Sequence, residues 1–127
     1  MSPTSRKQAR RSALFALYRW DLAGQRPGTF EDDELDEYAR ALVEGVAADA
    51  ESLDRRITAA SDDWTADRLG TVERNVLRIA IHELGAGLVP AEVAVDEAVR
   101  LSKRYASDDA ARLVNGILGR VLRERAA

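Results

Sequence analysis

Acid–base and metal chemistry need nitrogen, sulfur or paired carboxylates at defined spacings, and this chain offers little of the first two. It has one histidine, His82, in the middle of its most apolar stretch, and no cysteine. A tetrahedral zinc site takes several nitrogen or sulfur ligands. A Ser-His-Asp arrangement needs a nucleophile held exposed beside the histidine. Neither pattern is present, and neither G-x-x-x-x-G-K-[ST] nor G-x-G-x-x-G occurs to cradle a nucleotide. His82 therefore reads as a packed or rim side chain whose ring nitrogens find local partners. The carboxylate run Glu31, Asp32, Asp33, Glu34, Asp36 and Glu37 lacks the glycine and closing glutamate of an EF-hand loop. It suits a helix start, where negative charge is favoured. The expectation is a protein without catalytic residues, metal or cofactor.

The side chains that do suggest a ligand are basic and aromatic. The first 20 residues hold Arg6, Lys7, Arg10, Arg11 and Arg19 and no acid, whereas residues 21–63 hold 13 acids against 4 bases. Residues 64–127 are near balance, with 10 bases and 9 acids. The formal net charge of −3 thus hides a basic arm on an acidic body, which draws polyanions to one place and repels them elsewhere. On a helix, Lys7, Arg11 and Tyr18 fall within about 40° of one another. Such an arm neutralises phosphates without reading sequence, and a tyrosine on the same edge gives an unpaired base a face to stack on. The charge alone fits equally well a solvated amphipathic helix that uses arginine.

Helical periodicity supplies the elements that hold these residues. Ser2 and Pro3 read as a cap and a first helical position; Ala13, Leu14, Ala16, Leu17 and Trp20 give the buried stripe, and Gly24 stops the helix. Gln25 to Thr29 is a loop. From about Phe30, the spacing of Leu35, Tyr38, Ala39, Leu42, Val46, Leu53 and Ile57 gives one or two helices, with Gly45 marking a close packing or a break. Trp64 to Leu69 forms a short turn with Trp64 in the core. Thr71 caps an apolar helix closed by Gly85 and Gly87, on which Arg74 and Arg78 either face a ligand or pair with Glu73 or Asp67. Pro90 opens a helix with Val95, Ala98, Val99, Leu101 and Tyr105 inward or at its edge. Ser107, Asp108 and Asp109 supply caps for a last helix bearing Leu113, Val114, Ile117, Leu118, Val121 and Leu122. No stretch alternates as a strand does. The class is all-α, a compact bundle of about six or seven helices forming a single domain over residues 1–127.

Composition agrees. A chain of 127 residues, 46% apolar and 32% charged, is long enough to bury a core and too apolar for a disordered tail. No apolar run approaches the roughly 20 residues of a membrane span, and the N-terminus lacks the apolar stretch of a secretory signal. The absence of cysteine suits the cytoplasm.

Three segments in order, R-K-Q-A-R-R-S-A-L-F-A-L-Y-R-W at 6–20, V-E-R-N-V-L-R-I-A at 72–80, and P-A-E-V-A-V-D-E-A-V at 90–99 running on to V-N-G-I-L at 114–118, resemble the transcription antitermination factor NusB family. The resemblance covers the chain apart from the acidic stretch between residues 24 and 60. It implies an all-helical, non-catalytic protein that binds the single-stranded boxA element of ribosomal RNA leaders together with NusE, a small-subunit ribosomal protein. With other Nus factors, that complex helps elongating RNA polymerase read through terminators, away from any membrane. By motif, Tyr18, Glu73, Tyr105, Asp109 and Leu113 stand at the family's RNA face, with Tyr105 and Leu113 where relatives often carry Phe. The tyrosine keeps a stacking ring, whereas Leu113 gives apolar contact alone. With Arg6, Lys7, Arg10 and Arg11 for phosphates and Asn115 for a base edge, they form the expected RNA surface. Each also has a packing role to fill: Tyr18 in closing the bundle, Asp109 as a cap, and Asn115 with Gly116 in close helix contact. Two rivals are a helical protein-interaction module and a stand-alone relative of the RNA-binding domain of rRNA cytosine methyltransferases. No methyl-donor domain is expected within these residues.

Overall fold

The most apolar stretch of the sequence forms the axis of the fold. In a computed structural model that describes residues 3–23, 35–62 and 64–126, helix α4 (Thr71–Ala86) packs against every other helix. Around it stand α1 (Pro3–Ala23), α2 (Glu37–Ala48), α3 (Ala50–Ala60), α5 (Ala91–Tyr105) and α6 (Asp108–Ala126), with one 3₁₀ turn at Ala66–Arg68. Among the described residues there is no strand. The all-α reading holds, with six α-helices and one short turn among the described residues. Val76, Leu77, Ile79, Ala80 and Ile81 of α4 meet Leu14 and Leu17 of α1, Leu42 and Val46 of α2, Leu53 and Ile57 of α3, and Val114 and Leu118 of α6 in one core.

Local chemistry sets the helix ends. The Asp36 carboxylate accepts from the Ala39 amide at 2.8 Å and caps α2, so the described end of the acidic run does what its charge predicts. Glu31 to Glu34, the Gln25–Thr29 loop and the Ser2 cap lie outside the described residues. Gly87 takes φ 65° at the end of α4, where the Leu88 and Gly87 amides close back on the Glu83 and Leu84 carbonyls, a conformation that favours glycine. Gly45 is the close-packing site: any Cβ there would overlap the His82 ring. The predicted break follows at Asp49, between α2 and α3.

Several expectations need correction. Thr71 is not a cap; it lies inside the first turn, and Gly70 precedes the helix without a side-chain bond. Gly85 lies within α4. Trp64 is 50% exposed instead of buried, because the turn turns it outward while Ala66 and Leu69 take the core places. Arg74 and Arg78 pair with neither Glu73 nor Asp67. Asp21, at the end of α1, accepts from Arg74 at 3.1 Å, from Arg78 at 3.1 Å and from Asn75 at 2.7 Å. Asp54 of α3 takes the other side of Arg78 at 2.7 Å. Burial pulls the Arg78 pKa down, but the bonds and charges of Asp54 and Asp21 outweigh it and leave it raised. The Gly116 surface is open, with nothing within 4 Å of a Cβ built there, so close packing does not explain that glycine.

Candidate nucleic-acid interface

Two pairs of contacts fix how α1 lies. Arg10 meets Glu83 and Asp21 meets Arg74, so α1 runs antiparallel to α4. On its other side, Lys7 meets Glu97 at 3.8 Å and the Phe15 ring meets Tyr105 with centroids 5.1 Å apart. The second contact lies eight residues further along both helices, so α1 and α5 run side by side in the same direction. Between them is a groove of about 170 Å³ lined by Lys7, Gln8, Arg11, Arg100, Arg104 and Tyr105.

This groove is rich in positive charge. Its lining includes four cations, and the neighbouring carboxylate, Glu97, is buried and shared between Lys7 and Arg100, the latter at 2.6 Å. Lys103 and Arg104 occupy the last turn of α5, where the helix dipole favours cations. Arg104 stacks its guanidinium 5.5 Å from the Tyr105 ring centre and donates from Nε to the Tyr105 hydroxyl at 3.2 Å. Along the α1 edge of the groove, Arg11, Phe15 and Tyr18 follow one another at helical spacing, all exposed, with Phe15 at 45% and Tyr18 at 37%. Cations beside open aromatic rings are what a single nucleic-acid strand requires, phosphates on the former and bases on the latter.

The structure thus brings Lys7, Arg11 and Tyr105 to one groove and places Tyr18 on its edge. Tyr18 does not close the bundle. The other expected residues lie elsewhere. Arg10 is the main correction: it is 3% exposed and its Nε and Nη2 clamp the Glu83 carboxylate at 2.9–3.1 Å. A guanidinium so held reaches no phosphate. The Tyr38 hydroxyl donates to the same carboxylate at 2.6 Å, and burial, that bond and the Glu83 charge push the Tyr38 pKa up to about 12. Burial pulls the Arg10 pKa down, yet the Glu83 contacts outweigh it and leave it raised. Arg6 is exposed but lies on the α2 side, 4.8 Å from the Tyr38 ring centre. Glu73 sits in the first turn of α4 with its carboxylate folded over Gly70. Asp109 caps nothing; the Ser107 hydroxyl accepts from the Ala110 amide at 3.0 Å instead. Asp109 is open to solvent, 3.3 Å from Arg112. Leu113 is half-buried against the core. Asn115 is exposed in a second, mixed-charge groove of about 780 Å³ between α5 and α6, to which Arg100 also contributes.

Arg100, Arg104 and Phe15 are residues that sequence reasoning passed over. The signal was there for each. Phe15 stands one turn after Arg11 on the same helical edge, and Arg100 and Arg104 repeat that four-residue spacing on α5.

Residues 7–123 match the model of the NusB family. The chain belongs to the NusB family. It is 38% identical over 128 residues to the transcription antitermination protein NusB of Pelotomaculum thermopropionicum, covering 93% of this chain and 89% of that one. A crystal structure of the antitermination factors NusB and NusE in complex with dsRNA superimposes with a TM-score of 0.84 at 33% identity, over 97% of this chain and 99% of that one. T. maritima NusB does so with a TM-score of 0.84 at 31% identity, over 94% and 91%. The fold is therefore shared with these solved NusB structures, and in this member the groove between α1 and α5 sets several cations beside exposed rings. Among the described residues, no helix is long and apolar enough to cross a membrane.

Proposed function

We propose that this NusB-family chain is a non-catalytic transcription antitermination factor. It binds boxA-type single-stranded RNA of ribosomal RNA leaders together with NusE, in the cytoplasm, and acts as an adaptor to elongating RNA polymerase and its other Nus factors. The observation that carries the reading is the α1–α5 groove, lined by Lys7, Arg11, Arg100 and Arg104, with the buried Glu97 paired to Lys7 and Arg100 and the exposed rings of Phe15 and Tyr18 along its α1 edge. Such a surface favours a strand whose bases are unpaired, since stacked duplex bases offer no face to a side chain. The family and its named relatives support the antitermination role. Tyr18, Tyr105, Lys7 and Arg11 form the centre of the proposed surface. Arg6, Glu73, Asp109, Leu113 and Asn115 are not part of that centre, and Arg10 is assigned to the fold.

The test is binding of a labelled boxA-like single strand, its scrambled counterpart and the same sequence in duplex form, each with and without NusE, across a salt series. The expected result is preference for the boxA-like single strand, strengthened by NusE and weakened by salt. Equal, weak binding to all three RNAs would leave the protein-interaction module as the better reading.

A further inference from the structure

Tyr105 is the ring that the family resemblance assigns to RNA, yet it is the more occupied of the two rings in the groove. It is half-buried against the core, the Arg104 guanidinium lies over it, its hydroxyl takes a bond from the same arginine, and Phe15 meets it at an interplanar angle of 80°. Phe15 has the opposite character. It is 45% exposed in a helix whose neighbouring positions Leu14, Ala16 and Leu17 are all buried to 1% or less. Its orientation is fixed by the edge-to-face contact, a favoured arrangement for aromatic pairs. Exposed Arg11 stands one turn before it and exposed Tyr18 one turn after it.

We infer that Phe15 is a base-stacking residue of this groove, held in place by Tyr105, with Arg11 and Arg104 set to receive the phosphates on either side of the stacked base. The inference rests on the RNA-binding reading and names a residue that carries it. Phe15 sits among cations, which suits a ligand that alternates flat apolar faces with negative charge. A single nucleic-acid strand is such a ligand. Tyr105 is then a positioning residue that acts through Phe15.

The experiment compares Phe15→Leu, which keeps apolar bulk without a π-face, with Phe15→Trp and Tyr18→Ala, on a boxA-like single strand and on an abasic strand of equal length. Exposure of Phe15 makes each variant foldable, and circular dichroism checks this. Phe15→Leu should weaken the intact strand by roughly 5- to 150-fold, the range one stacked base spans, and leave the abasic strand and the salt slope unchanged. Phe15→Trp should restore binding. If Phe15→Leu binds the intact strand like the parent while Tyr18→Ala does not, RNA binding stands and the role of Phe15 falls. Equal weakening on intact and abasic strands would show that Phe15 only sets the position of Arg11, overturning stacking. Loss of affinity for NusE alone would assign the ring to a protein contact. Should the parent itself fail to prefer the boxA-like strand over a scrambled one, the RNA reading fails and this inference with it.

Discussion

Arg10 and Arg11 are adjacent, identical in type and equally basic on paper, yet they belong to different regions of the molecule. Arg10 faces α4, where each charge has found its counter-charge: Arg10 on Glu83, and Arg74 and Arg78 on Asp21 and Asp54. Arg11 faces α5, where Lys7, Arg100 and Arg104 share the groove with it and the buried Glu97 is the carboxylate between the helices. On one face of α1 the charges are paired and largely buried; the other is positive and open. The difference teaches that an arginine's role follows from whether the fold completes its hydrogen bonds. A guanidinium clamped at two nitrogens holds helices together, and one left in solvent with like-charged neighbours waits for an anion.

The largest effect should come from breaking the closed side. Arg10→Ala leaves the Glu83 carboxylate buried without its counter-charge, with the Tyr38 hydroxyl as its remaining bond, and removing one member of such a pair costs about 3–5 kcal/mol. Urea unfolding should show that loss, and replacing the whole cluster with apolar residues of similar size, Arg10→Met and Glu83→Leu together with Tyr38→Phe, whose hydroxyl would otherwise lose its acceptor, should recover most of it. A change within about 0.5 kcal/mol, the usual range for surface sites, would erase the distinction between the two faces.

On the open side, Tyr18→Ala should cost about 1–3 kcal/mol in affinity for a boxA-like strand while the unfolding midpoint stays near that of the parent. NusE binding is expected to survive, since the proposed stacking surface is not its contact. Isothermal titration of each ligand against the variant checks both statements. Lost stability in place of lost affinity would move Tyr18 to the closed side.

Lys7→Gln combined with Arg11→Gln sharpens the comparison further. Both boxA-like and scrambled strands should weaken to the same degree, and the salt slope should flatten by roughly 0.7 per phosphate contact removed. Arg10 is not part of that set, and its loss should leave the slope unaltered in whatever fraction remains folded. A slope that responds to Arg10 but not to Arg11 would reverse the assignment.

The smallest effect is a pH dependence confined to the closed side. Tyr38 keeps its proton in the folded state up to about 12, against 10.0 in the unfolded chain. Its contribution is therefore fully present below about pH 10 and is lost as pH rises from there to about 12. Tyr38→Phe has no proton to lose, so thermal unfolding between those limits should fall less steeply in the variant than in the parent. Parallel curves would mean that the Tyr38 bond to Glu83 does not persist in solution.

Much of the molecule is written in short-range pattern. The apolar spacing of Ala13, Leu14 and Leu17, or of Val76, Leu77 and Ile81, determines both that these segments are helical and which side they bury, because a helix brings every third and fourth residue to one face. The same arithmetic placed Lys7, Arg11 and Tyr18 on one edge, and motif order along the chain pointed to the family. Local pattern also left the ends of elements to small competitions, which is why Ser107 caps α6 where Asp109 was an equal candidate.

What the sequence did not determine is which charges meet across the fold. The partner of Arg10 is 73 residues away and the partner of Arg78 at Asp21 is 57 residues away, and no periodicity on one helix reports the charge brought to it by another. Trp64 was misread for the same reason: its apolar type favours burial, but the turn gives the inward places to Ala66 and Leu69. The amino-acid sequence set the helices, the core and the edge on which the cations of α1 lie. The tertiary structure decided that Arg10 is consumed by Glu83, that Arg100 and Arg104 join Lys7 and Arg11, and that Phe15 stands open beside Tyr105. Those outcomes depend on how α4 and α5 are seated against α1, since burial and pairing are properties of the assembled bundle rather than of any single helix.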